Sequence, residues 1–305
     1  MMNKVKLILF ITIFIVQSCK QKTGKVAAIE TPSSGTAKFA ADESFQPIIN
    51  QELEVFKHLN SRANLEPVYG TENDVLRLLL NDSVRFAILS RDLNADEKKI
   101  MAGRKLVPVV NRIAIDAIAL IVNQASKDTL ITVNEIKKML AGQNRAGTNI
   151  VFDNPNSSIV RYLKSFSGVN DFKQRNIYAL KDNKEVIKYV DQHQNSIGII
   201  GLNWLDDAPG TDYADAVKNV KVMAVRDESS KTAPNQYFTP SQNTLSLKQY
   251  PLSRGLYIIN CTGKVGLNMG FAHFILSARG QMIILRSNLL ADSIPERVIQ
   301  IKHTY

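Results

Sequence analysis

Val84-Arg-Phe-Ala-Ile-Leu-Ser90 and Ile113-Ala-Ile-Asp-Ala-Ile-Ala-Leu-Ile-Val122, joined through a helical pattern that opens near Asn94, decide the fold. Each is a short apolar run between polar residues. The second is apolar at nearly every position, which is how a strand buried on both faces reads. The same alternation extends outward. Upstream, Asp42-Glu-Ser44-Phe45 opens a helix to about His58, with Ile48, Ile49, Leu53, Phe56 and Leu59 near helical spacing. Asp42 or Ser44 can cap it, and Pro47 is tolerated in the first turn. A short strand ending at Tyr69 and a helix over 72–81 follow. Downstream, Thr132-Val-Asn-Glu135 and Asp182-Asn-Lys-Glu185 have capping-box spacing, while Ile150-Val-Phe152 and Ser196-Ile-Gly-Ile-Ile200 read as strands. Leu267, Phe271, Phe274, Ile275 and Ala278 share an apolar helical face that Gly280 can end. Such alternation predicts α/β architecture with mainly parallel sheets. The polar, proline-containing stretch from Asp227 to Asn243 is expected to be a loop or an interlobe crossing.

The chain has 305 residues, 45% hydrophobic and 22% charged, with 38 Lys and Arg against 28 Asp and Glu. That length and apolar content can bury one large core or two lobes. The composition excludes collagenous and wholly disordered chains, and two cysteines cannot build a disulfide framework. The formal charge of +10 points to anionic partners. Lys4 and Lys6 precede an apolar run from Leu7 to Val16, about half of what a spanning helix needs, so residues 1–18 read as an export signal. The ending Val16-Gln-Ser-Cys19 is similar to a bacterial lipobox, which implies cleavage before Cys19 and a lipid on it. Residues 19–38 have the composition of a flexible tether, holding four basic residues and one acidic one. The body beyond it is then only mildly basic. Cys261, in a strand-like stretch, reads as a small buried residue.

Three polar loops run directly into expected helix starts: Glu43-Ser44-Phe45, Tyr69-Gly70-Thr71-Glu72 and Asp153-Asn-Pro-Asn-Ser157-Ser158. Helix N-termini carry unpaired N–H groups and a positive dipole end, and hydroxyls add donors, so such loops suit anions. Taken singly, each is an ordinary N-cap. Ser90-Arg91-Asp92 at a strand end adds a guanidinium, the group that grips tetrahedral oxyanions in a fork. Arg161, one turn into its helix, is expected to face solvent, as is Arg112 to matter little. Trp204 reads as a packing anchor. His58, His193, His273 and His303 lack metal-ligand spacing, and no nucleophile elbow, zinc-protease helix or phosphate-binding loop with its Lys is present. The expectation is a non-enzymatic protein without metal or cofactor. Export and the absence of aromatics among the basic residues disfavour nucleic acid.

The order Asp42 to Phe45, Tyr69 to Leu80 and Phe86-Ala-Ile-Leu-Ser-Arg91 resembles the PstS-like phosphate-binding proteins of ABC transporters. So do Ile118 to Asn123, Asn156-Ser-Ser158, Ile197-Gly-Ile-Ile-Gly201, Tyr250-Pro-Leu-Ser-Arg254 and a closing helix from Phe271 to Gln281. The resemblance implies a type II periplasmic-binding fold, two α/β lobes around a ligand cleft. Residues 39–119 and 245–305 would form the first lobe and residues 120–244 the second. It also implies phosphate contacts from Ser44, Phe45, Thr71, Glu72, Ser90, Arg91, Ser157 and Ser158. The implied setting is the cell envelope, lipid-anchored through Cys19, with a monomer delivering phosphate to an ABC permease. The chain departs from the family where Thr71-Glu72-Asn73 replaces a Gly-Ser-rich stretch and Asp153 stands where many members have Arg. A buried carboxylate can accept the proton of hydrogen phosphate and reject sulfate, and Glu72, Asp92 and Asp153 are the candidates. An oxyanion-sensing or surface-interaction protein that keeps the fold and has altered its ligand remains the alternative.

Overall fold

A computed structural model describes residues 30–143, 147–172, 174–205 and 210–293. The expected signal segment, Cys19 and most of the tether lie outside the described residues. The tether gives way earlier than expected, because Ser34–Lys38 already belong to the first strand. There they pair in parallel with Arg62–Glu66, whose backbone groups they satisfy.

In chain order the elements are β1 (Ser34–Asp42), α1 (Gln46–Leu59), β2 (Arg62–Gly70), α2 (Glu72–Leu80), β3 (Phe86–Leu89), α3 (Ala95–Gly103) and β4 (Val109–Asn123). Then come β5 (Leu130–Thr132), α4 (Val133–Leu140), β6 (Asn149–Phe152), α5 (Ser158–Ser167), β7 (Ile177–Ala179), α6 (Asn183–Gln192) and β8 (Ser196–Gly201). The chain continues through α7 (Ala214–Lys218), β9 (Val220–Val222), β10 (Ala224–Arg226), α8 (Gln242–Ser246), β11 (Ser253–Asn260), α9 (Leu267–Leu276), α10 (Ala278–Arg286) and β12 (Leu290–Ala291). Short 3-10 turns at Glu43–Phe45 and Leu202–Trp204 precede α1 and follow β8.

One sheet runs β2-β1-β3-β11-β4-β8-β6-β7. Its outer strands are parallel, as alternation with helices requires. The middle is not: β11 is antiparallel to β3 and β4, and β4 is antiparallel to β8. The mainly parallel expectation fails there because β4, at 15 residues, is long enough to serve both halves. Its first part pairs β11 and β12 and its second part β8 and β9, so the apolar run at Ile113–Val122 is a crossing strand. Of the two expectations for Asp227–Asn243 the loop holds, leading into α8, while the chain returns at the start of β11, where Leu252 belongs to the core of the second half and Leu256 to that of the first.

Three cores follow from strand alternation. Phe39, Ala41, Phe86, Ile88, Leu256 and Ile258 pack beneath α1, α9 and α10 on one face of the first half-sheet. Ala40, Ala87, Leu89 and Ile259 face the opposite way, against Val75, Leu79 and Met101. A third core gathers Ile118–Val122, Ile150–Phe152 and Ile197–Ile200 with the inner faces of α4, α5 and α6, and also takes in Leu245, Tyr250 and Leu252. The capping box at Thr132 forms completely, whereas at Asp182 the side chain accepts from the Glu185 N–H. The C-terminal helix differs from expectation. It ends at Leu276, Ser277 is extended, and Gly280 sits in the first turn of α10. A Cβ on Gly280 would lie 2.5 Å from the Phe274 and Ile275 carbonyl oxygens, so glycine permits the close approach of the two helices.

Glu52 is the costliest residue in this frame. It lies 2% exposed in the middle of α1, and neither carboxyl oxygen has a hydrogen-bond partner. Burial pushes its pKa up to about 9. An acid that binds its proton more tightly when folded stabilises the fold only while protonated, so stability is lost as pH rises from about 4.5 towards 9. Denaturant melts between pH 5 and 8 should show a loss approaching about 1.4 kcal/mol per pH unit. Glu52→Gln should lower that slope, most cleanly between pH 7 and 8, above the range where Glu43 and Asp153 titrate; an unchanged slope there would contradict the assignment.

Candidate functional site

The site forms where loops of the two halves meet over the crossing strands. β4 and β11 pair antiparallel with Arg254 directly opposite Asp116. Both are buried, at 5% and 0% exposure. Arg254 Nε donates to Asp116 Oδ2 at 3.0 Å, and Nη2 lies at the same distance without an aligned hydrogen bond. Burial raises the Asp116 pKa and Arg254 draws it back. The guanidinium also lies over the Phe45 ring, 4.5 Å from its centroid, and Nη1 donates to Ser158 Oγ at 2.7 Å.

Ser44 reaches the same point from the other half. The chain turns sharply after β1 because Asp42 Oδ1 accepts the Ser44 N–H at 2.9 Å. This presents the Ser44 hydroxyl 3.2 Å from that of Ser158, at the start of α5. The Ser44 carbonyl accepts from Asn203 Nδ2 at 3.1 Å and Trp204 Nε1 at 2.9 Å, so Trp204 is an interlobe donor as well as a packing anchor. The Ser158 hydroxyl lies near the Asp42 carboxylate, whose Oδ2 has no hydrogen-bond partner of normal geometry. Burial is the largest influence raising its pKa. Neighbouring Glu43, half-buried beside Asp42, is pushed up to about 7, again mainly by burial.

A second cluster lies beside the first. Glu72, 1% exposed at the first position of α2, accepts from Ser90 Oγ on Oε2. On Oε1 it accepts from Arg91 Nε at 3.2 Å and Arg161 Nε at 2.5 Å. Arg161 Nη2 donates in turn to Ser90 Oγ at 2.8 Å. Arg161 therefore does not face solvent as expected; it crosses the cleft. Arg91 is largely committed elsewhere, in a fork to Glu97 at 2.8 and 2.7 Å. Glu97 belongs to the capping box that starts α3. Thr71 caps α2, donating to Asp74 Oδ2 at 2.7 Å. Ser157 caps α5 and donates to Asp153, whose other oxygen accepts from Asn183 at 3.1 Å. Burial pushes Asp153 up to about 7. A cavity of about 210 Å³ opens beside this second cluster, lined by Glu72, Asn73, Ser157, Arg161 and Lys164 among others, with none of Ser44, Ser158 and Arg254 in its lining.

The structure thus brings Ser44, Phe45 and Ser158 together at the floor and Glu72, Ser90 and Arg91 at the wall, while Thr71 and Ser157 turn to their own helices. The three carboxylates expected to discriminate oxyanions are occupied: Glu72 by two guanidinium groups and a hydroxyl, Asp153 by Ser157 and Asn183, and Asp92 by Lys98 at 2.7 Å. Asp42, read only as a cap, keeps an oxygen without a hydrogen-bond partner, as do Glu43 and Asp116 beside it. Arg254 and Asp116 were missed as site residues because register between distant strands assembles them. The quoted Tyr250 to Arg254 motif was the available signal. Among the described residues no cluster of His, Cys, Asp and Glu could hold a metal ion.

Residues 26–279 match a family model described as a PBP superfamily domain. Among solved structures, the chain is similar to a phosphate-bound substrate-binding protein assigned to phosphate ABC transport in Clostridium perfringens. The two share 20% identity and a TM-score of 0.69, covering 85% of this chain and 100% of that one. It is similar also to an ABC-type phosphate transport receptor from Vibrio cholerae, at 16% identity and TM-score 0.61, covering 83% and 99%. The regulatory domain of CcmR from Synechocystis, in complex with 2-PG, shares the fold at 10% identity and TM-score 0.54, covering 82% and 99%. No curated protein matches the chain.

The floor of the cleft predicts a steep asymmetry between variants. Asp116→Ala should cost about 3–5 kcal/mol in denaturant melts, since it strands the Arg254 charge in a buried site. Asp116→Leu combined with Arg254→Met should recover most of that loss. A double variant no more stable than Asp116→Ala would contradict the pairing.

Proposed function

The chain belongs to the PBP superfamily, and on that premise we propose that it is an extracytoplasmic solute-binding protein that captures inorganic phosphate for an ABC permease. It would be a non-enzymatic monomer held to the membrane by a lipid on Cys19. Among the described residues no helix is long and apolar enough to cross a membrane.

The observation that carries the reading is the convergence of Ser44, Ser158 and Arg254 from both lobes and a crossing strand. Hydroxyls supply neutral donors, and a buried guanidinium supplies a charge-assisted one without a solvent shell to displace. Arg254 Nη2 has no aligned partner, and Asp42 Oδ2 is an acceptor with none. A tetrahedral anion that offers both an oxygen and a proton meets both. Sulfate offers no proton, so Asp42 is the residue proposed to set phosphate above sulfate.

The acids around this floor give the site a pH dependence. Glu43 and Asp153 have pKa values of about 7, so lowering pH through 7 removes negative charge from the cleft. Set against the ionisation of phosphate itself, which is common to parent and variant, these two acids should make the parent's affinity rise from pH 8 to pH 6 relative to a variant lacking one of them. Asp153→Asn should flatten the rise. Calorimetry tests the reading directly: phosphate should bind and sulfate should not. Ser158→Ala should weaken phosphate by about tenfold to a hundredfold, the effect of losing a hydrogen bond to a charged group. Asp42→Asn should erase the preference over sulfate. No binding of phosphate, arsenate, sulfate or molybdate would sink the reading and favour a sensing or interaction role on the same fold.

A further inference from the structure

Glu72 is gripped as a bound anion would be. It is a carboxylate from the N-terminal lobe, 1% exposed, that receives one hydroxyl and two guanidinium groups. Ser90 and Arg91 belong to its own lobe, and Arg161 comes from α5 of the other. Ser90 Oγ donates to Glu72 and accepts from Arg161, closing a three-membered ring of charge-assisted bonds across the cleft. Two further features make the arrangement strong. Glu72 sits at the first position of α2, where the helix dipole favours a negative charge. Arg91 is itself held by its fork to Glu97, so its Nε is aimed without further ordering cost.

We infer that Glu72 is an internal ligand that latches the two lobes closed in the absence of solute, through Arg161. A freely hinged pair of lobes closes only when a solute supplies the bridging contacts. Here the chain supplies its own anion to Arg161, so this bridge needs no solute to form. Arg161 is thereby withdrawn from solute binding, and the solute's charge is left to Arg254. Opening for entry or release requires the Glu72–Arg161 pair to part, with Arg91 and Ser90 left to hold Glu72 on its own lobe. This inference goes beyond the phosphate reading and does not depend on it.

Pulsed dipolar spectroscopy tests it on the full chain in a Cys19→Ser background. Spin labels at Glu54→Cys and Asn134→Cys stand on exposed positions of α1 and α4, one on each lobe, and Cys261 is buried. Without added solute the parent should give one narrow, short distance. Arg161→Gln, a change at a side chain 38% exposed, and Glu72→Gln should each shift the distribution to longer, broader distances. A broad, long distribution in the parent would overturn the latch, as would a narrow, short one in both variants. Adding inorganic phosphate separates this from the functional proposal. Variants that open and then close with phosphate support both. Variants that open and stay open support the latch while removing phosphate as the solute.

Discussion

The antiparallel register that sets Arg254 against Asp116 is the constraint on which the rest of the site depends. On the proposed reading the two lobes share a binding floor built around one charged group held between them. Strands that cross from one lobe to the other are the stiffest place to hold it. A guanidinium taken out of water needs a counter-charge, and β4 provides one directly opposite. Once that pair is formed, the remaining face of Arg254 is directed at Ser158 and stacked on Phe45, which fixes where the loops must meet. Gly201 belongs to the same arrangement. A Cβ there would lie 2.9 Å from Asn203 Nδ2 and 3.3 Å from Arg254 Nη2, so the residue must be small for the floor to close.

The cleft is richer in acid than its function first suggests. Arg91, Arg161 and Arg254 are each matched by a carboxylate before any solute is considered. Asp42, Glu43 and Asp153 remain, all with pKa values raised chiefly by burial. A site of this composition tolerates an anion only when those acids carry protons or when the anion brings its own. On the proposed reading, the modest positive charge of the body acts at long range, in drawing anions near, while selectivity is left to local proton placement.

Much of this was legible from residue order. The apolar run Ile113–Val122, the caps at Thr132 and Asp182, and the loops ending at Ser44 and Ser157-Ser158 follow from periodicity and helix-end chemistry, which act over a few residues. What could not be read depends on long-range register or on closure. Arg254 opposite Asp116, Arg161 on Glu72 and Trp204 on the Ser44 carbonyl join residues 138, 89 and 160 positions apart. Arg91 stands where residue order placed it, just past the end of β3, but its fork to Glu97, six residues on, could not be read because it depends on how the following turn folds back. The break at Ser277 was hidden since Leu267 to Ala278 keep one apolar face through it.

The measurement that bears most directly on the central claim is a crystal structure of the protein grown with inorganic phosphate. The account predicts tetrahedral density on the cleft floor, within hydrogen-bonding distance of Ser44 Oγ, Ser158 Oγ, Arg254 Nη2 and Asp42 Oδ2, with Glu72 still bound to Arg161. A phosphate held instead by Arg91 and Arg161 with Glu72 displaced, or a floor that stays empty at saturating phosphate, would contradict it.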